Sequence, residues 1–266
     1  MLDKYDGFEG LSIEKKDEGI LRIAMRAGDV GKTHAELPRL FLEAERDSDV
    51  RAILFGKNLA ETDSDTMAGY GDATIRQMRA VVEDYSVRMR VYKEASDLIY
   101  NIINCTKPIV ALYPGAFVPA LVLADVSIAA PDSIICDAHV AYGAAAGDNG
   151  TMWPLHIGMA KAKYYLLTGA ELSGAEAERI GLISLVAPES ELEERGMEIA
   201  RKLANGSQRA MRWTKQVLNN FYRTAGPTFD ASVAMEFMCF GGDDVQEGIR
   251  SLIANRPPNF PERITS

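Results

Sequence analysis

An α/β fold with a partly parallel sheet and a helical C-terminal region is predicted by three features of the sequence. Short apolar β-type runs recur at intervals, helical stretches separate them, and after residue 158 the chain turns almost wholly helical. Residues 10 to 25 read as a hairpin, because GLSIEK and GILRIAM carry β-formers around the turn residues Asp17, Glu18 and Gly19. A helix over about 35 to 47 then feeds VRAILFG, a run fitted to a buried parallel strand. From 73 to 104 apolar residues return at helical spacing, among them Ile75, Met78, Val82 and Met89, until Lys107-Pro108 ends the pattern ahead of the strand IVALY. ALVLADVSIAAP joins a short helical turn to a third strand, closed by Pro131-Asp132. Beyond 158 only LISLV, near 182 to 186, reads as a strand. Without a repeat or linker, the expectation is one core over 1–200 continued by a helical region over 201–266.

Composition narrows the function classes. Lys and Arg total 29 against 38 Asp and Glu, a formal charge of −9 with no basic cluster to neutralise phosphates, so no nucleic-acid partner is expected. The polar N-terminus and the absence of any apolar run near the roughly 20 residues of a membrane span lead us to expect no membrane association and a cytoplasmic protein. Cys105, Cys136 and Cys239 lack metal-type spacing and sit among apolar neighbours, which suits free thiols. No metal is expected: the run Glu61, Asp63, Asp65 lacks the glycine and terminal glutamate of a calcium loop and reads as a solvated loop.

Several segments, taken in order, carry a family likeness: DVRAILFG, KPIVALYPG, ADVSIAAPDS, GAAAGDNGT, AKAKYYLLTGAELSGAEAERIGLISLV and EFMCFGGDDVQEGIRSLIANRPPNF. Together they resemble the crotonase superfamily, of the enoyl-CoA hydratase/isomerase type, across nearly the whole chain. The resemblance implies the ClpP/crotonase-like fold, a ββα superhelix whose C-terminal helices pack in a homotrimer or hexamer. It implies an acyl-CoA substrate with no separate cofactor, and two backbone N–H groups that stabilise an enolate as an oxyanion hole.

Position by position, the likeness departs from an ordinary hydratase. The first donor falls on Thr62 in Leu59-Ala60-Glu61-Thr62-Asp63, where side chains replace the usual glycines. The second falls on Ala120, since Pro119 in the shortened Gly115 to Leu121 turn has no N–H to give. One hydratase glutamate has no counterpart among Leu121 to Ala124, and the other is replaced by His139, four residues before Gly143. With Asp148 as its partner, His139 resembles the histidine of the β-diketone hydrolase subgroup, and Glu236 on a late helix resembles the acid that reaches that site. A lone histidine beside Val140 and Tyr142 also suits a core position, and Asp148-Asn149-Gly150 also suits a turn. His34 and His156 receive no catalytic role. Lys161, Lys163 and Lys215 are the lysines considered for a CoA phosphate, without assignment. The expected activity is enoyl-CoA hydration or isomerisation. The alternatives are carbon-carbon bond hydrolysis of a β-dicarbonyl substrate, or a catalytically impaired binding subunit.

Overall fold

The computed structural model describes residues 4–26, 30–56, 72–114 and 118–260. The first hairpin is present: β1 (Leu11–Lys16) pairs antiparallel with β2 (Ile20–Met25), from Leu11 opposite Met25 to Lys16 opposite Ile20. Glu18 and Gly19 make the reversal at φ 66° and 77°. From β2 onward the sheet is parallel, running through β3 (Ala52–Phe55), β4 (Ile109–Tyr113), β5 (Val126–Ala129) and β8 (Leu185–Val186) in that order. A separate antiparallel pair, β6 (Ile134–Ile135) with β7 (Leu172–Ser173), lies off the main sheet.

Strand β3 is wholly apolar and buried because both faces of the sheet are covered there. Side chains alternate across a strand, so Ile53 and Phe55 of β3 join the larger core while Ala52 and Leu54 join the smaller one. The larger core packs α1 (Val30–Arg46) and α3 (Tyr85–Asn104) through Leu37, Phe41, Leu98 and Ile102. The smaller packs α8 (Leu192–Asn205), which approaches so closely that a Cβ on Gly196 would lie 2.7 Å from Leu112.

Three expectations shift. The pattern read as one helix over 73–104 is two, α2 (Asp72–Glu83) and α3, because Asp84 takes an extended conformation and its carboxylate accepts from the Ser86 and Val87 N–H groups as an N-cap. Helix α1 begins at Val30, ahead of the predicted 35, and so contains His34. Of LISLV only Leu185 and Val186 pair in the sheet, while Leu182 and Ile183 are buried in the core.

The remaining helices are α4 (Val118–Leu123), α5 (Gly147–Gly150), α6 (Met152–Thr168), α7 (Gly174–Arg179), α9 (Gln208–Leu218), α10 (Asn220–Thr224), α11 (Gly226–Cys239) and α12 (Asp243–Ile253). Helix α6 is broken at Gly158, whose φ of 75° and ψ of 160° leave the helical region. The helical region expected over 201–266 opens within α8.

Candidate active site

The chain leaves β6 at Ile135 and within four residues places Asp137 and His139 side by side, ahead of a single 3-10 turn over Val140–Tyr142. The Asp137 carboxylate accepts from the His139 backbone N–H at 3.1 Å and lies 2.9 Å from its Nδ1. A carboxylate can only accept, so Nδ1 carries the proton and Nε2 faces away from Asp137. On its other oxygen Asp137 accepts from the Asn149 amide at 2.8 Å. Asp137 is thereby locked by three donors.

Two glycines let the C-terminal helices close over this loop. A Cβ on Gly147 would lie 2.5 Å from Glu236 Oε2 and 2.7 Å from the Ser232 carbonyl, so only glycine lets α11 seat here. A Cβ on Gly248 would meet the Tyr142 carbonyl at 2.0 Å, so α12 docks on the 3-10 turn under the same constraint. Glu236, 5% exposed, is thereby brought to the loop from almost a hundred residues downstream. Its Oε1 lies 3.5 Å from His139 Nε2, and its Oε2 accepts from the Asp148 N–H at 3.1 Å. Asp148 Oδ1 stands 4.0 Å from His139 Nδ1, an ion-pair distance too long for a hydrogen bond.

The sequence-predicted residues His139, Asp148 and Glu236 thus meet in one cluster, but the hydrogen-bonded partner of His139 is Asp137, which sequence reasoning passed over. The signal was present: an aspartate two residues before a histidine at a strand exit can bond to its backbone N–H and its ring at once. Ala120 lies buried in the first turn of α4, which packs against α5 and α6. Thr62 falls outside the described residues.

The electrostatics follow from one imidazole among three carboxylates. Burial works against the His139 charge, but the Tyr142 hydroxyl and the carboxylates of Glu236, Asp137 and Asp148 outweigh it and hold the imidazole well above its ordinary pKa. Asp137 moves down, because its bonds to His139 and Asn149 overcome its burial. Asp148 is pushed up to about 7 by burial, with the neighbouring Glu236 and Asp137 adding to the effect against the opposing pull of His139.

The other singled-out residues have different duties. His34 Nδ1 lies 3.2 Å from Glu94, and His156 Nε2 lies 2.8 Å from the Tyr222 hydroxyl, tying α6 to α10. Lys215, considered for CoA, is buried against Asp125 at 2.7 Å. Cys105 is a buried free thiol whose pKa burial pushes up to about 11.

The sequence profile of the family described as enoyl-CoA hydratase/isomerase matches residues 31–263. A probable enoyl-CoA hydratase of Rhodobacter capsulatus is 29% identical over 180 residues, 64% of this chain and 69% of that one. A probable mitochondrial enoyl-CoA hydratase of Dictyostelium discoideum is 28% identical over 60% of each chain. A short-chain-enoyl-CoA hydratase of Clostridioides difficile is 31% identical over 56% of this chain and 99% of its own. Among solved structures, an enoyl-CoA hydratase/isomerase from Mycobacterium paratuberculosis superposes with a TM-score of 0.80 at 24% identity, covering 93% of this chain and all of that one. A beta-diketone hydrolase from the cyanobacterium Anabaena superposes at 0.75 and 23% identity, covering 88% and 95%. At these identities the superpositions establish the fold, which is the crotonase fold.

Proposed function

The chain belongs to the enoyl-CoA hydratase/isomerase family, and from that premise we propose that it acts on an acyl-CoA thioester by forming and reprotonating an enolate. The observation that supports this reading is the half-buried His139, held at Nδ1 by Asp137 and flanked at Nε2 by Glu236. In this reading the backbone N–H groups of Thr62 and Ala120 take the negative charge that develops on the thioester oxygen, and the first-turn position of Ala120 suits a donor because such N–H groups have no intrahelical partner. His139 moves the α-proton, oriented by Asp137 as a positioning residue, and Asp148 and Glu236 form the polar wall opposite. The reaction needs no cofactor, since substrate and side chains supply every proton and electron pair. It takes no nucleic acid or membrane as a partner. Among the described residues no helix is long and apolar enough to cross a membrane, and we place the protein in the cytoplasm.

A second reading has its own support. The imidazole stands where an ordinary hydratase is expected to carry glutamate, and an imidazole–aspartate pair can activate water for addition to one carbonyl of a β-dicarbonyl compound. The carbon-carbon bond would then break, with the departing carbon held as an enolate. The deciding experiment incubates the protein with butyryl-CoA in D2O and follows the α-protons by NMR, beside crotonyl-CoA hydration and hydrolysis of a cyclic 1,3-diketone. α-Deuteration or hydration lost in His139→Ala upholds the thioester reading. Diketone hydrolysis alone moves the assignment to the second, and inactivity on all three leaves a non-catalytic subunit.

We further propose a homotrimer or hexamer. The α9 and α10 region exposes Trp213, Val217, Leu218 and Phe221, each more than half exposed, which suits burial against other copies. Sedimentation at a monomer mass would overturn this.

A further inference from the structure

The cluster holds more acceptors than donors. Three carboxylates surround one imidazole, and two fully buried oxygens, Asp148 Oδ1 and Asn149 Oδ1, have no hydrogen-bond donor among the described residues. Asn149 is 4% exposed, and its side-chain nitrogen donates to Asp137. Buried acceptors without donors are costly, and a cation is one partner that would satisfy them.

Geometry narrows that partner to a single ion. One ligand atom each from Asp137, His139 and Asp148 lie within 4.8 Å of one another. The separations of Asp137 Oδ1 and Asp148 Oδ1 from His139 Nδ1 are 2.9 and 4.0 Å. They bracket the edge of about 3.4 Å that a tetrahedron with metal–ligand arms of about 2.1 Å requires. We propose that Asp137, His139 and Asp148 form a binding site for a divalent transition ion of the zinc class. The mixed nitrogen and oxygen donor set favours such an ion over magnesium or calcium, which prefer oxygen alone. Because the ion takes His139 Nδ1, it displaces the Asp137 hydrogen bond, and ion and proton are alternative occupants. The inference stands on the cluster alone and holds whichever reaction the site performs.

The test is titration of the full-length protein, first stripped with a chelator, with Zn2+ alone, read by calorimetry and by the zinc-dependent rise in melting temperature. One ion per chain is expected, with affinity falling by at least about tenfold in both Asp137→Asn and Asp148→Asn, the loss that even outer-shell partners of a metal can cause. Asp148→Asn removes one of three crowded carboxylates, so it serves as the variant whose folding is not at risk. Absence of saturable binding, or binding that both variants leave unchanged, overturns the proposal. Neither readout uses turnover, so failure here is distinct from failure of the proposed reaction.

Discussion

Lys215 and His139 are both basic side chains drawn into the interior, and their surroundings differ in one respect. The Lys215 ammonium donates to the Asp125 carboxylate and to the Lys107 carbonyl, and the Lys107 ammonium in turn donates to the carbonyls of Asp47 and Val50. Asp125 also accepts from the Ile109 N–H at the start of β4. Each charge there finds an opposite charge or a backbone dipole, and the network fastens α9 to the sheet. Around His139 the count does not close: carboxylates outnumber the imidazole and buried oxygens lack donors among the described residues. A closed network stabilises a fold, whereas an open one stores unsatisfied polarity that a substrate, a proton or an ion can relieve.

The largest expected effect breaks the open side. His139→Ala should lower the α-proton exchange rate by about 10²- to 10⁴-fold, the range for loss of an acid–base group, with the urea midpoint little changed. A midpoint that falls along with the rate would recast His139 as a core histidine. Next, Lys215→Met breaks the closed side by leaving Asp125 without its cation. We expect a loss of about 3 kcal/mol in urea-monitored stability, at the lower end for a broken buried pair because Asp125 is 23% exposed, and no change in exchange rate at temperatures where the variant is folded.

A smaller effect sharpens the border between the two. Gly147→Ala forces a methyl group against Glu236 Oε2 and the Ser232 carbonyl, and should cost about 1 to 3 kcal/mol of stability while slowing exchange through a displaced Glu236. If Glu236 has no part in the chemistry, stability falls and the rate per folded molecule does not. The smallest concerns Asp47, a second closed carboxylate. Burial would raise it, but Lys15, the Asp49 N–H, Lys4 and the Tyr5 hydroxyl hold it well below the ordinary carboxylate range. Its folded pKa is depressed, so its contribution is present above the ordinary value of 3.8 and is lost as pH falls below it. Melting curves between about pH 3 and 6 should therefore show a shallower acid limb for Asp47→Asn than for the parent.

What was legible in the sequence followed the range of the signal. The strands of AILF and IVALY and the long helices declare themselves in local periodicity, because burial on one or both faces leaves its mark within a few residues. The Asp84 break in the 73–104 pattern was missed because the apolar spacing runs through it, while the cap acts through a single side chain. His139, Asp148 and Glu236 came from family likeness. No local rule brings residue 236 to residue 139, since that contact depends on Gly147 letting α11 approach. Asp137 needed no distant information, only attention to a carboxylate two positions before the imidazole.

Glu236 and the seats at Gly147 and Gly248 carry a consequence for how the protein is made. The loop with Asp137, His139 and Asp148 leaves the ribosome roughly ninety residues before α11, and domains fold as the chain emerges. Until α11 and α12 arrive, the backbone contacts at Gly147 and Tyr142 are unfilled and one wall of the cluster is missing. Assembly of the reactive centre is thus among the last events of synthesis, and a nascent chain stalled before α11 holds the histidine but not the wall that faces it.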